Sequence, residues 1–100
     1  MIPISKELIL GFFKEHKQEF EQNYGVKSIG IFGSIVRDEL REDSDIDIAI
    51  EMDLAKKNLR NFMAFQKLLE KEFGRRVDLG IESSLKDFVR RRIAKEIIYV

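Results

Sequence analysis

Asp45-Ile46-Asp47-Ile48-Ala49-Ile50-Glu51 alternates without a break. In an extended chain successive side chains point to opposite faces, so Ile46, Ile48 and Ile50 share one face and Asp45, Asp47, Ala49 and Glu51 the other. The stretch predicts a half-buried strand over residues 45–51, with two aspartates two positions apart on the face that the isoleucines do not use.

Reading outward, Arg41-Glu42-Asp43-Ser44 is a polar turn, and the short stretch from Ser34 to Leu40 suits a single helical segment. Val26 to Phe32 is rich enough in β-branched and aromatic residues for another strand, closed by Gly33. The first helix starts at Ser5, a good N-cap, and runs to about Gln22, with Leu8, Ile9, Phe12, Phe13, His16 and Phe20 along one stripe; Gly25 supplies a left-handed cap. On the other side, a helix from about Asn58 to Glu72 carries Leu59, Phe62, Met63, Phe65, Leu69 and Phe73, and stops at Gly74. Arg76 to Leu79 is a short third strand. Ser84-Leu85-Lys86-Asp87 resembles a capping box, opening a last helix that turns Leu85, Phe88, Val89, Ile93 and Ile97 inward. The apolar tail Ile98-Tyr99-Val100 is unusual for a free terminus.

Alternating helices and strands predict an α/β fold: a small sheet of at least three strands covered by helices. The connection between the first two strands is too short for a certain crossover, so the sheet is expected to be mixed. At 100 residues the expectation is a single domain, 1–100. Hydrophobic residues at 44% and charged residues at 36% give a globular, soluble composition. Lys+Arg and Asp+Glu balance at 18 each, so no global field steers the chain to nucleic acid or an anionic membrane. Without cysteine there is neither a disulfide framework nor a thiolate metal site. The start lacks the basic-then-apolar pattern of a signal peptide, and no stretch approaches the length of a membrane span. A mature, cytoplasmic chain is expected.

Aspartates at i and i+2 on a strand lie roughly 7 Å apart on one face, and their oxygens can converge on one or two cations. Mg²⁺ is held through a few carboxylates and substrate phosphates, and paired hard cations serve in-line phosphoryl or nucleotidyl displacement. An Asp-x-Asp pair alone is more often a solvated strand face. Gly33-Ser34 changes that balance: a glycine after an apolar strand lets backbone N–H groups approach phosphate oxygens, and the helix that follows favours an anion. Asp78, between Val77 and Leu79, is either an edge-strand surface charge or, if its strand lies beside the second, a third carboxylate. It could then ligand a metal and take a proton from an attacking hydroxyl.

Gly33-Ser34-Ile35-Val36-Arg37, Ser44-Asp45-Ile46-Asp47-Ile48 and Val77-Asp78-Leu79 together resemble the nucleotidyltransferase superfamily that includes DNA polymerase beta, with its palm-like fold. More closely they resemble the MNT (minimal nucleotidyltransferase) proteins, antitoxins of HEPN–MNT toxin–antitoxin pairs. The resemblance implies that Gly33 and Ser34 hold the β- and γ-phosphates of ATP, with Arg37 and Ser44 also in the nucleotide site. It implies that Asp45 and Asp47 bind two Mg²⁺ ions, and that Asp78 binds the catalytic metal and helps activate the acceptor. The three aspartates are thus both the metal ligands and the catalytic set. For Arg37, an ion pair with a surface carboxylate is an equal alternative. The family commonly has glycine after that arginine; Asp38 here predicts a change in the loop's shape and charge.

By the same resemblance the reaction is Mg²⁺-dependent transfer of AMP from ATP to a hydroxyl, the acceptor being a tyrosine of a HEPN ribonuclease toxin. A hetero-oligomer with that toxin is expected, the apolar end Ile97-Ile98-Tyr99-Val100 forming part of the interface. The alternative is a non-catalytic antitoxin that neutralises its toxin by contact alone. Transfer to a small molecule such as an aminoglycoside is the weakest option, there being no acceptor domain. The remaining features read as ordinary. His16 is a core-edge residue, since one histidine cannot build a metal site. Arg90-Arg91-Arg92, with Lys86 and Lys95 nearby, could form an RNA-binding patch, but without interleaved aromatics it reads more often as a solvated helix face with one arginine docking on a partner.

Overall fold

The computed structural model describes residues 4–100; the reading of residues 1–3 as free of a signal segment lies outside them. Helix α1 (Lys6–Tyr24) leads into strand β1 (Val26–Phe32), then β2 (Ile46–Met52), α2 (Leu59–Phe73), β3 (Val77–Ile81), α3 (Asp87–Ile93) and β4 (Ile98–Tyr99). The two long helices are punctuated as their sequences predict. The Ser5 hydroxyl accepts the Leu8 N–H at 3.1 Å and Asn58 Oδ1 accepts the Asn61 N–H at 2.8 Å, while Gly25 and Gly74 close the C-termini in left-handed conformations.

The sheet order is β3-β2-β1-β4. β1 runs antiparallel to β2 and to β4, whereas β2 and β3 are parallel. The sheet is mixed for the reason its sequence suggests. The β1–β2 connection carries no helix to cross the sheet and makes a reversal, and α2 supplies the crossover that the parallel β2–β3 pair needs. Register places Ile46 beside Val77 and Ile48 beside Leu79, with Ile31 across from Ile48. This apolar face packs against Ile9, Phe13 and Phe20 of α1 and Phe65, Leu69 and Phe73 of α2. Ile46, Ile48 and Ile50 are fully buried, each contributing about 1.5–3 kcal/mol of burial free energy. His16 sits at the rim of this core, its ring stacked on Phe20 and its Nδ1 2.8 Å from Glu19.

The opposite face carries Phe32, Asp47 and Asp78 in one transverse row, and Gly30, Ala49 and Gly80 in the next. Residues 85–97 cross over it. A Cβ at Gly30 would lie 2.6 Å from Ile97 Cδ1, and one at Gly80 would meet Leu85 at 3.7 Å. Small residues therefore let this segment lie close to the sheet, which positions α3 beside the aspartate row.

Four expectations need correction. Residues 34–40 do not form one helical stretch: Gly33–Ile35 make a 3-10 turn and the chain then reverses. There is no capping box, because Glu82–Ser84 form their own 3-10 turn and α3 starts after Lys86 with no side-chain cap. Phe88 does not turn inward. It is 65% exposed, because α3 is only seven residues long and its apolar face narrows to Ile93, flanked by the partly covered Val89. On α2, whose apolar residues the sequence reading named without placing them all inward, Leu59 and Met63 are exposed, off the stripe of Phe65, Leu69 and Phe73. The apolar tail is not a free patch but β4, whose Ile98 pairs with Ile31 and whose Val100 N–H donates to the Ile29 carbonyl at 2.9 Å.

Candidate active site

Asp47 lies near the start of β2, where Phe32 faces it from β1 and Asp78 from β3. The parallel register that pairs Ile46 with Val77 also sets Asp47 directly beside Asp78, so the third carboxylate reaches the site through strand pairing alone. Asp45 precedes the strand on the same side. Burial pushes the Asp47 carboxyl up to about 6; the Asp78 charge, a hydrogen bond with Asp78 and the Asp45 charge add to this, and Arg37 opposes it. A half-buried carboxylate packed among like charges is held at a free-energy cost. Further along the same face, Glu51 shows the ordinary alternative. Its two oxygens accept the Ser83 N–H at 2.8 Å and the Ser83 hydroxyl at 2.9 Å, so that carboxylate simply ties down a turn.

Gly33 touches the same carboxylate. Its φ of 81° is in the left-handed region, and a Cβ there would collide with the Asp47 carboxylate, ending 3.0 Å from Cγ. Glycine is required on both counts. The Gly-Ser turn and the aspartate strand, eleven positions apart in sequence, thus form one surface. Asp38 also has a positive φ, 58°. Aspartate tolerates this conformation, which favours glycine, better than most residues do.

A cleft of about 300 Å³ opens on this surface, lined by Phe32, Gly33 and Asp47 on one side and by Val89, Arg92, Ile93 and Glu96 on the other, with Arg37 at its edge. Glu96, which the sequence reading did not single out, holds two of the residues expected to meet phosphate. Its Oε1 accepts the Gly33 N–H at 2.9 Å, and its Oε2 accepts a hydrogen bond from Arg37 Nη1 at 2.8 Å. Burial raises the Glu96 carboxyl, but the bonds from Arg37 and Gly33 outweigh it and hold the group below its ordinary value. Arg37 also pairs with Glu39 at 3.3 Å, so it makes the carboxylate pairs that stood as its alternative reading. Arg92 enters the cleft from the triple-arginine run; Arg90, Arg91 and Arg92 are all exposed. Only the pairing of β4 with β1 brings residues 92–96 here, and no local pattern signals it.

Ser44 stays in the turn before β2. Its hydroxyl accepts the Arg41 N–H at 3.0 Å and its carbonyl accepts a bond from Arg75 Nη1 at 3.2 Å, away from the residues that line the cleft. Asp45 is held by Arg76, with Oδ1 3.3 Å from Nε. Among the described residues no three ligating groups are drawn together closely enough to hold a metal ion as they stand. The donor set still suits a hard divalent cation: all-oxygen ligands, with mutual repulsion that such an ion would relieve. Arg76, whose side chain is 81% exposed, is a weak competitor for Asp45.

Residues 13–100 match the nucleotidyltransferase domain family. Protein adenylyltransferase MntA of Thermococcus cleftensis is 38% identical to the chain over 100 residues, covering all of both proteins. A solved structure described as a minimal nucleotidyltransferase matches with a TM-score of 0.78 and 27% identity, over 95% of each chain. A crystal structure of a toxin–antitoxin with AMP-PNP has the same fold, at a TM-score of 0.68 and 18% identity, over 86% of this chain and 70% of that one.

Proposed function

We propose, for a chain that belongs to the nucleotidyltransferase domain family, that it is a protein adenylyltransferase transferring AMP from ATP to a tyrosine hydroxyl of a HEPN ribonuclease toxin, and so acts as that toxin's antitoxin. The observation that carries the reading is the in-register pair Asp47–Asp78 set against Gly33. A strand face that served only solubility would not gather like charges around a half-buried carboxylate.

Asp45, Asp47 and Asp78 would hold two Mg²⁺ ions, and Gly33, Ser34 and Arg37 the triphosphate. When bound, the metal ions would neutralise triphosphate charge and make the acceptor hydroxyl more acidic. The acceptor oxygen bonds to the α-phosphorus, the bond from that phosphorus to the oxygen bridging to the β-phosphate breaks, and pyrophosphate leaves. Asp78, the most exposed of the three aspartates, takes the hydroxyl proton. Arg37 and Arg92, both lining the cleft, would contact the phosphates. The 38% identical relative carries the name of a protein adenylyltransferase, MntA, and the fold is shared with a toxin–antitoxin crystallised with AMP-PNP; both support this reading. So does the small size of the cleft, which suits an acceptor presented by a second protein. A cytoplasmic location follows from the expected toxin partner.

One observation favours the contact-only antitoxin: Asp45, Gly33 and Arg37 are each engaged by another side chain. The two readings separate on one assay. The protein is incubated with α-phosphate-labelled ATP, Mg²⁺ and the toxin encoded beside it. Label on a toxin tyrosine, absent with Asp47→Asn, is the expected result. An unlabelled toxin, together with Asp47→Asn protecting cells as well as wild type, would establish neutralisation by contact.

A further inference from the structure

Glu96 makes an unusual pair of contacts. It is a carboxylate whose two oxygens are each taken by a different donor, one a backbone N–H and one a guanidinium. Backbone amides and arginine are the donors that recognise phosphate. Glu96 therefore occupies, with the right charge and the right donors, a ready-made anion site in the cleft that also contains Asp47.

Its placement is enforced. β4 pairs antiparallel with β1 through Gly30–Tyr99 and Ile31–Ile98, and Ile97 packs on Gly30. The Glu96 and Ile97 N–H groups both donate to the Ile93 carbonyl at 2.9 Å, closing the turn from α3 into the strand. Extending the β1–β4 register by two residues sets Glu96 opposite Gly33. The backbone around Glu96 is thus held by the fold, while its side chain is 26% exposed.

We propose that Glu96 is an internal stand-in for phosphate, filling the Gly33–Arg37 anion site until the triphosphate displaces it. The proposal rests on the nucleotidyltransferase reading of the cleft and adds a residue to it. With Glu96 seated, its negative charge adds to those of the three aspartates and opposes the triphosphate. On displacement it releases the Gly33 N–H and Arg37 to the incoming oxygens. Apparent affinity is the intrinsic affinity reduced by the fraction of molecules with the site open, so Glu96 sets how tightly the nucleotide binds without contacting the base.

The test compares Glu96→Gln with wild type by calorimetric titration of Mg-ATP, and follows the Gly33 amide resonance in isotopically labelled protein. Glutamine keeps the shape and loses the charge. Glu96→Gln is expected to bind Mg-ATP about tenfold more tightly, as a site closed about nine-tenths of the time would require. Inorganic tripolyphosphate with Mg²⁺ should gain by a similar factor. In wild type the Gly33 resonance should move on adding Mg-ATP, as the N–H exchanges one acceptor for another. Equal or weaker binding by Glu96→Gln overturns the proposal while leaving the nucleotide site standing, since Glu96 would then only position Arg37. Binding by neither protein, with the Gly33 resonance unmoved by nucleotide, overturns the proposal and the reading of the cleft together.

Discussion

Asp47 carries its carboxylate at a cost to stability. Its carboxyl titrates near 6 in the folded chain, against 3.8 for the unperturbed group. Below about pH 4 it is protonated whether folded or not, and nothing is lost. Between about 4 and 6 the folded chain keeps a proton that the unfolded chain has released, so this group's contribution to stability falls as pH rises, and the full penalty is present above 6. Because the side chain is only half-buried, solvent screening reduces the penalty to about 1 kcal/mol. Asp47→Asn should therefore melt higher than wild type at pH 7 and match it near pH 4, which thermal denaturation across that range measures. An unchanged difference at the two pH values would mean that Asp47 is not strained. Asp47 and Gly33 were legible residue by residue, because strand alternation and a glycine after an apolar strand are local signals. Glu96 was not, because a lone glutamate after a short basic helix has no pattern of its own.

At the scale of elements, the strongly periodic segments behave as their sequences predict. β1 covers the predicted 26–32, β2 is displaced by one residue, and α1 and α2 extend within about two residues of their predicted ends, all supported by one-sided burial. The short segments do not. Residues 34–40 turn instead of forming a helix, and Ser84–Asp87 is split between a 3-10 turn and the start of α3, since a helix of few residues needs tertiary packing to repay its nucleation. α3 is stabilised instead by the single buried Ile93. Ile93→Ala should cost about 2–4 kcal/mol, whereas Phe88→Ser, removing an exposed ring, should stay within about 0.5 kcal/mol. Urea denaturation of the two variants checks the assignment, and the reverse order would place Phe88 in the core after all. The tail is the instructive case. Ile98-Tyr99-Val100 reads as unpaired apolar surface until β1 is seen to have a free edge, and pairing across that edge is information that no local window contains.

For the whole molecule, the sheet order β3-β2-β1-β4 does two things at once. The parallel β2–β3 pair brings the carboxylates of Asp47 and Asp78 together, and the antiparallel β1–β4 pair swings Arg92 and Glu96 over Gly33. Asp47 and Gly33 therefore lie side by side on one wall of a single cleft, with Arg92 and Glu96 on the other, and the central claim is that the aspartate row and this cleft act together on a Mg-nucleotide. The most direct measurement is calorimetric binding of a non-transferable ATP analogue, with and without Mg²⁺, to wild type and to Asp47→Asn. The account predicts binding by wild type that depends on Mg²⁺, and loss of that dependence, with at least tenfold weaker binding, in Asp47→Asn; a tenfold change is about 1.4 kcal/mol. Equal, Mg²⁺-dependent affinity in both proteins would contradict it, because the metal would then be held somewhere other than the aspartate row.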